Sequence, residues 1–286
     1  MKLGRLLRDF NELVMFKHTV FAMPFLLTSM VTAAGGWFGW QPFLLAVLAA
    51  VAARNYAMAV NRLLDRPFDA QNPRTANRPS VDGRVAPGVI LLFIIVNAVV
   101  FVGASYAINT LAFQLSFVAL VILGGYTLLK RVTPWVHLVL GLSLGLAPIA
   151  GAIVVLETVP FWSVWLALGV MVWVAGFDLL YSLQDMAFDR EKGLYSVPAA
   201  YGAGATLWIS AVLHLLAVLF WALFVIEAGL GVAAYGAVVL AALMLLAEHR
   251  IVHRDFTKID RAFFTVNGYL GIAFFILIVG DVLWKS

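Results

Sequence analysis

The chain contains no cysteine, which excludes a disulfide framework, a thiolate metal site and a cysteine nucleophile. Charge is nearly as scarce: 12% of the 286 residues are Asp, Glu, Lys or Arg, 63% are hydrophobic, and the mean hydropathy is +0.98. Soluble domains carry about 25% charged residues, so a water-soluble enzyme, a disordered tail and a nucleic-acid-binding module are all excluded. Glycine-rich nucleotide loops and the pattern H-E-x-x-H are missing as well, which leaves no support for a zinc protease. The composition is that of an integral membrane protein.

What is present is a series of long apolar runs. A helix crosses the hydrocarbon core with about 20 residues, and in lipid its backbone must bond to itself. Nine segments qualify: 18–35, 42–61, 87–106, 110–129, 135–156, 161–181, 206–226, 230–247 and 264–283. Pro148 is expected to kink its helix without ending it. The basic residues alternate between connections. Residues 36–41, 107–109, 157–160 and 227–229 hold no Lys or Arg. The other connections hold Arg62, Arg66, Arg74, Arg78 and Arg84; Lys130 and Arg131; Arg190 and Lys192; and Arg250, Arg254, Lys258 and Arg261. Lys2, Arg5, Arg8 and Lys17 precede the first run. The positive-inside rule then predicts an all-α bundle of nine transmembrane helices with a cytoplasmic N-terminus. Lys2, Arg5 and Arg8 before an apolar run also resemble a signal peptide, but removing that run would spoil the alternation, so it is read as a retained first helix. Residues 1–286 are expected to form a single transmembrane domain.

The two longest connections, 62–86 and 182–205, fall on the same side, and each opens with a D-x-x-x-D: Asp65 and Asp69, then Asp185 and Asp189. Corresponding aspartates are 120 residues apart, as are Asn61 and Tyr181, an offset that points to two related helical halves. Residues four apart on a helix share a face. Each pair is therefore expected to present two carboxylates at the cytoplasmic surface, where facing pairs would suit Mg²⁺, an ion held by carboxylates and substrate phosphates. Pro67 interrupts the backbone bonding between the first two aspartates, so that pair is expected at a kinked or frayed helix end.

The run Asn61 to Asp69 resembles the N-x-x-x-D-x-x-x-D signature of the UbiA superfamily of intramembrane aromatic prenyltransferases, and Asp185 and Asp189 resemble its second signature. Arg74-Thr75-Ala76-Asn77-Arg78-Pro79 is similar to the R-T-x-x-R-P that follows the first. Tyr126 and Lys130 match the family's Y-x-x-x-K, and Arg54 matches an Arg two turns before the motif Asn. Many members carry Asp directly after that Asn; here the position is Arg62, which sets aside a metal role for it. The resemblance implies a nine-helix bundle with cytoplasmic loops capping the site, and Mg²⁺-dependent transfer of a prenyl chain from a polyprenyl diphosphate to an acceptor. The stretch Phe16 to Phe25 and the run Phe177 to Tyr201 are most similar to the 4-hydroxybenzoate polyprenyltransferase group, with relatives that prenylate 1,4-dihydroxy-6-naphthoate for menaquinone as the alternative. It also implies an inner-membrane enzyme of quinone biosynthesis, with no nucleic acid or obligate protein partner.

The chemistry of the residues agrees. Asn61, Asp65, Asp69, Asp185 and Asp189 are the candidate metal ligands, and a metal neutralises the charge that develops on a departing diphosphate. Lys130, Arg74 and Arg78 are candidates for direct contact with phosphate oxygens, and Tyr126, one turn before Lys130, for donation to the same group. Arg54 and Asp178 each lie seven residues before a motif residue, hence two turns deeper. An ionisable group at that depth costs about 2.5–3.5 kcal/mol on insertion scales. Arg54 is expected to bind an aromatic carboxylate and Asp178 to orient or deprotonate its phenol; the alternative is that they pair with each other or with backbone. His18 is read as interfacial, and His249 and His253 as facing solvent in a loop. A transporter is the rival reading from another class, but its polar groups are expected near the midplane, whereas these carboxylates crowd one face.

Overall fold

The computed structural model describes residues 2–15, 21–254, 259 and 262–285. His18, Lys17, Lys258 and Arg261 lie outside the described residues, as does most of the stretch from Phe16 to Phe21. Among the described residues there is no strand. The helices are α1 (Lys2–Leu13), α2 (Met23–Ala34), α3 (Trp40–Asp69), α4 (Pro87–Ile108), α5 (Thr110–Gly125), α6 (Val136–Leu156), α7 (Phe161–Ser182), α8 (Met186–Lys192), α9 (Val197–Glu227), α10 (Val232–Arg254) and α11 (Asn267–Lys285). Short 3₁₀ segments follow α5 (Tyr126–Arg131) and α7 (Leu183–Asp185).

Local chemistry sets the ends. Pro lies in the first turn of α2, α4 and α9, where its missing N–H costs nothing. Asn109 and Ser196 cap α5 and α9 by accepting from the Ala112 and Ala199 amides. By length and composition eight helices can cross a membrane among the described residues. They correspond to eight of the nine expected runs. The expected first span appears as α2, whose 12 residues fall short of the usual span, with the preceding residues 16–20 outside the description. Leu92, Val99, Val121 and Trp284 are exposed apolar side chains on these helices, as suits contact with lipid rather than water.

The chain divides into two compact units. The first holds α1, α3 from Leu44 onward, α4 and α5. Its core joins Leu13 of α1, Ala59 of α3, and Val85, Ile90 and Ile94 before and within α4, with Phe10, Tyr56 and Phe93 packed around them. The second unit holds α2, α6 to α11 and the start of α3. At its centre Phe25 stacks on Trp221 with ring centroids 5.6 Å apart, and Trp173 and Phe274 close the cluster. All four are fully buried. The corresponding 120-residue motifs fall in different units: Asn61 to Asp69 in the first, Tyr181 to Asp189 in the second.

Two features of the second unit decide how its helices meet. A Cβ at Gly141 would collide with the Met171 backbone oxygen, and one at Gly145 would lie 2.9 Å from that of Ala167. Close backbone approach of this kind is how membrane helices gain packing without a hydrophobic drive. As expected, α6 runs unbroken through Pro148, whose carbonyl accepts from the Ser29 hydroxyl of α2 at 2.6 Å. A buried polar chain crosses four helices: Trp173 Nε1 donates to Asn267 Oδ1 (2.8 Å), Asn267 Nδ2 donates to Glu248 Oε1 (2.7 Å), and His214 joins His249 Nε2 (3.0 Å). His249 is therefore not a solvent-facing loop residue. Helix α10 continues to Arg254, so position 249 stays on a helical face turned to α9, while His253 is exposed.

Replacing Gly141 with Leu is predicted to overpack the α6–α7 seam and lower stability by about 1–3 kcal/mol. Gly88→Leu, where nothing lies within 4 Å of the added Cβ, is the control. Thermal denaturation in detergent micelles reads the difference, and equal midpoints for the two variants would contradict it.

Candidate active site

In the first unit, the end of α3 carries Asn61, Asp65 and Asp69 at four-residue spacing on one face. Asp65 is 4% exposed and Asp69 7%, so both need hydrogen bonds from within the protein. Asn61 Nδ2 donates to Asp65 Oδ2 and to Thr127 Oγ1, each at 2.8 Å, and the Thr127 hydroxyl donates to the same Asp65 oxygen at 3.1 Å. Arg62, whose side chain is buried, donates to Asn61 Oδ1 at 3.1 Å and fixes the amide's orientation. Asp69 accepts from Arg78 Nη1 at 2.7 Å, and its backbone carbonyl accepts from Thr75 Oγ1. Pro67 lies in the last turn of α3, which ends two residues later, so the motif sits at a helix end as expected.

The segment 70–86 is a succession of tight turns. Arg66 Nε bonds the Ser80 carbonyl, and Asn72 Oδ1 accepts from the Arg74 amide. Arg84 then ties the segment to α1 through Glu12 (2.6 and 2.9 Å) and Asp9 (3.4 Å), and closes the segment on itself through Asp82 (2.7 Å) and the Asn77 carbonyl (2.7 Å). The hydrogen bonds from Arg84 hold the Glu12 carboxyl below the usual carboxylate range, and Glu12 and Asp82 in turn push the guanidinium up.

Arg54 and Arg62 both reach the C-terminal carbonyls of α1. Arg54 Nη2 donates to Met15 O (2.9 Å) and Val14 O (3.3 Å), and Arg62 Nε donates to Leu13 O (3.2 Å). These are the orphan acceptors of a helix end, and cations there are favourable. Backbone is thus one partner of Arg54, while its buried Nε has no partner among the described residues. Tyr126 opens the 3₁₀ segment after α5, one residue before Thr127.

In the second unit, the Lys130 carbonyl accepts from the Tyr195 amide at 2.7 Å. Asp185 and Asp189 do not share one continuous helix. The chain tightens to 3₁₀ over Leu183–Asp185, and α8 begins at Met186 with Asp185 at its N-cap. Asp189 Oδ2 accepts from the Ser196 hydroxyl at 2.8 Å, and Arg190 donates to the Ala199 and Pro198 carbonyls. Helix α8 is thereby fastened to the start of α9. Asp178 pairs with His137, Oδ2 to Nδ1 at 2.7 Å. Thr127 and His137 were not singled out by motif reading. A hydroxyl inside the Y-x-x-x-K run and a histidine seven residues past its Lys were the available signals.

No group of three or more His, Cys, Asp or Glu is arranged to hold a metal ion among the described residues. The donor chemistry nevertheless fits a hard cation: each motif offers carboxylate oxygens, the first with an amide oxygen beside them, and a magnesium site takes few protein ligands and fills its octahedron from substrate phosphate and water.

Residues 22–278 match the model of the UbiA prenyltransferase family. The chain is 32% identical over 250 residues to a 4-hydroxybenzoate octaprenyltransferase of Vibrio vulnificus, covering 86% of each chain. It is 31% identical over 255 residues to one of Paracidovorax citrulli, covering 88% of this chain and 85% of that one. Among solved structures, the apo form of a UbiA homolog from Aeropyrum pernix K1 superposes with a TM-score of 0.79 at 30% identity, covering 94% and 98% of the two chains. A UbiA homolog from Archaeoglobus fulgidus bound to GPP and Mg²⁺ shares the fold at a TM-score of 0.73 and 19% identity, covering 95% and 99%.

The depressed Glu12 pKa means that its bond to Arg84 adds stability above the ordinary carboxylate range and loses it as pH falls through the lowered value. Arg84→Gln is predicted to speed amide hydrogen exchange over residues 77–85 at pH 7, and acidification of the wild type to have the same effect once intrinsic rates are corrected for. Unchanged protection in Arg84→Gln would contradict the tie.

Proposed function

The chain belongs to the UbiA prenyltransferase family, and from that premise we propose that it transfers a polyprenyl chain from polyprenyl diphosphate to 4-hydroxybenzoate in a Mg²⁺-dependent reaction of quinone biosynthesis. The observation that carries this reading is the buried Asp65, held by Asn61 and Thr127 at the end of a membrane-length helix. An ionisable side chain in that setting is a functional group by default. The relatives named as 4-hydroxybenzoate octaprenyltransferases, matched over most of their length, support the choice of acceptor.

Asn61, Asp65, Asp69, Asp185 and Asp189 are the proposed metal ligands. Mg²⁺, when bound, supplies Lewis-acid neutralisation of the charge that develops on the diphosphate. The chain's own cations do the remaining electrostatic work: Lys130, Arg74 and Arg78 donate to phosphate oxygens, with Tyr126 as a further donor. Arg78, already fixed on Asp69 at 2.7 Å, has its remaining donors oriented before the donor substrate arrives. Arg54 takes the acceptor carboxylate; its buried Nε with no partner among the described residues supports this. Asp178 faces the acceptor's ring and hydroxyl. The distribution of basic residues supports reacting ends on the cytoplasmic side of the inner membrane, with the apolar donor tail in lipid.

Purified protein supplied with Mg²⁺ and a polyprenyl diphosphate should yield prenylated 4-hydroxybenzoate by mass spectrometry. No prenylated product from this acid or from 1,4-dihydroxy-6-naphthoate would overturn the reading. Asp65→Asn should lower turnover by roughly 10²-fold or more while membrane insertion is kept. Arg54→Gln should raise KM for the acceptor far more than for the donor, and an unchanged acceptor KM would remove that role.

A further inference from the structure

His137 stands in the first turn of α6 and Asp178 near the end of α7, both in the second unit. Their side chains meet at 2.7 Å, the length of a charge-assisted hydrogen bond. Among the described residues neither has another hydrogen-bond partner, and His137 Nε2 is buried without one. The contact is a hydrogen bond in which the imidazole Nδ1–H donates and the carboxylate Oδ2 accepts. The two groups differ in access. The His137 side chain is 5% exposed and that of Asp178 21%, so the carboxylate is the member of the pair that a ligand can reach.

We propose that His137 is the positioning residue for Asp178, holding its Oδ2 so that Oδ1 takes the proton the aromatic acceptor gives up. The inference deepens the prenyl-transfer reading and rests on it. A carboxylate carried within a membrane helix is costly, and joining α6 to α7 needs no charge, since Gly141 and Gly145 already bring the two backbones together. Asp178 lies seven residues before Asp185 of the second acidic motif, within the same unit. The bonds balance as follows. The allylic C–O bond breaks and its electron pair leaves on the diphosphate. A π pair of the acceptor ring forms the new C–C bond. The C–H bond at that ring carbon then breaks, its pair restores aromaticity, and the proton goes to Asp178 Oδ1. His137 acts through Asp178, fixing one oxygen by its Nδ1–H so that the other is oriented toward the acceptor.

The test uses the full chain in detergent with Mg²⁺, polyprenyl diphosphate, and acceptor carrying either hydrogen or deuterium at the ring carbon that is prenylated. Wild-type turnover is measured first: no product there overturns the parent reading, whereas an active wild type with silent variants overturns only the pair. His137→Leu should lower kcat by roughly 10–10²-fold, within the usual range for disturbed acid–base catalysis. It should leave the donor KM unchanged and introduce a normal isotope effect that the wild type lacks, because proton loss has become slow. His137→Gln, whose amide can still donate to Asp178, should restore most of the rate and abolish the isotope effect. Asp178→Asn provides the same readout should His137→Leu fail to fold, and the isotope effect must appear there too. A loss of rate without an isotope effect, or wild-type kinetics in His137→Leu, would overturn the proposal.

Discussion

Lipid offers no hydrogen bonds, so each polar side chain on a membrane helix has to be satisfied by the protein or by what it binds. That constraint accounts for the details around α3. Asp65 sits at the end of a helix of 30 residues and accepts from Asn61 and Thr127, and Asn61 is itself held by Arg62. Arg62 spends its other donors on the end of α1. One buried carboxylate is therefore linked to an amide, a hydroxyl and, through the amide, a guanidinium that bonds the end of the N-terminal helix.

The segments after the two acidic motifs follow from the same need, met differently. Residues 70–86 fold as turns closed by Arg78 on Asp69 and Arg84 on Glu12 and Asp82. The region after α7 instead uses a short helix, α8, hooked to α9 through Arg190 and through Ser196, whose hydroxyl serves both Asp189 and the α9 N-terminus. A prenyltransferase needs a rigid frame for its diphosphate, because electrostatic stabilisation is strongest when donors and charges do not have to reorganise. Both segments are tied down by the chain's own side chains.

The helices were legible in the sequence because each is a long apolar run whose backbone has no alternative in lipid, and the acidic motifs because their spacing and order are local. Asp65 and Asp69 lie at a helix end, where Pro67 places them. Contacts between distant segments were not legible. Thr127 meets Asp65 across 62 positions, and His137 meets Asp178 across 41; neighbouring motifs mark the two residues, but neither spacing reveals the partner in one dimension. Local pattern misled in two places. Asp185 and Asp189 are four apart but straddle a change from 3₁₀ to α-helix, and His249 looked like a loop residue because charge was read as marking the end of α10. Hydropathy marks where a helix leaves the membrane, and a helix can continue well beyond that point.

The central claim is that the scarce carboxylates exist to hold a diphosphate through a divalent ion. The most direct measurement is the affinity of a non-cleavable polyprenyl diphosphate analogue for the purified protein, titrated with Mg²⁺ present and after chelation. The account predicts that binding weakens by roughly 10²-fold or more without the metal, the scale of losing a close charge pairing in a dry site. The same affinity with and without Mg²⁺ would contradict it.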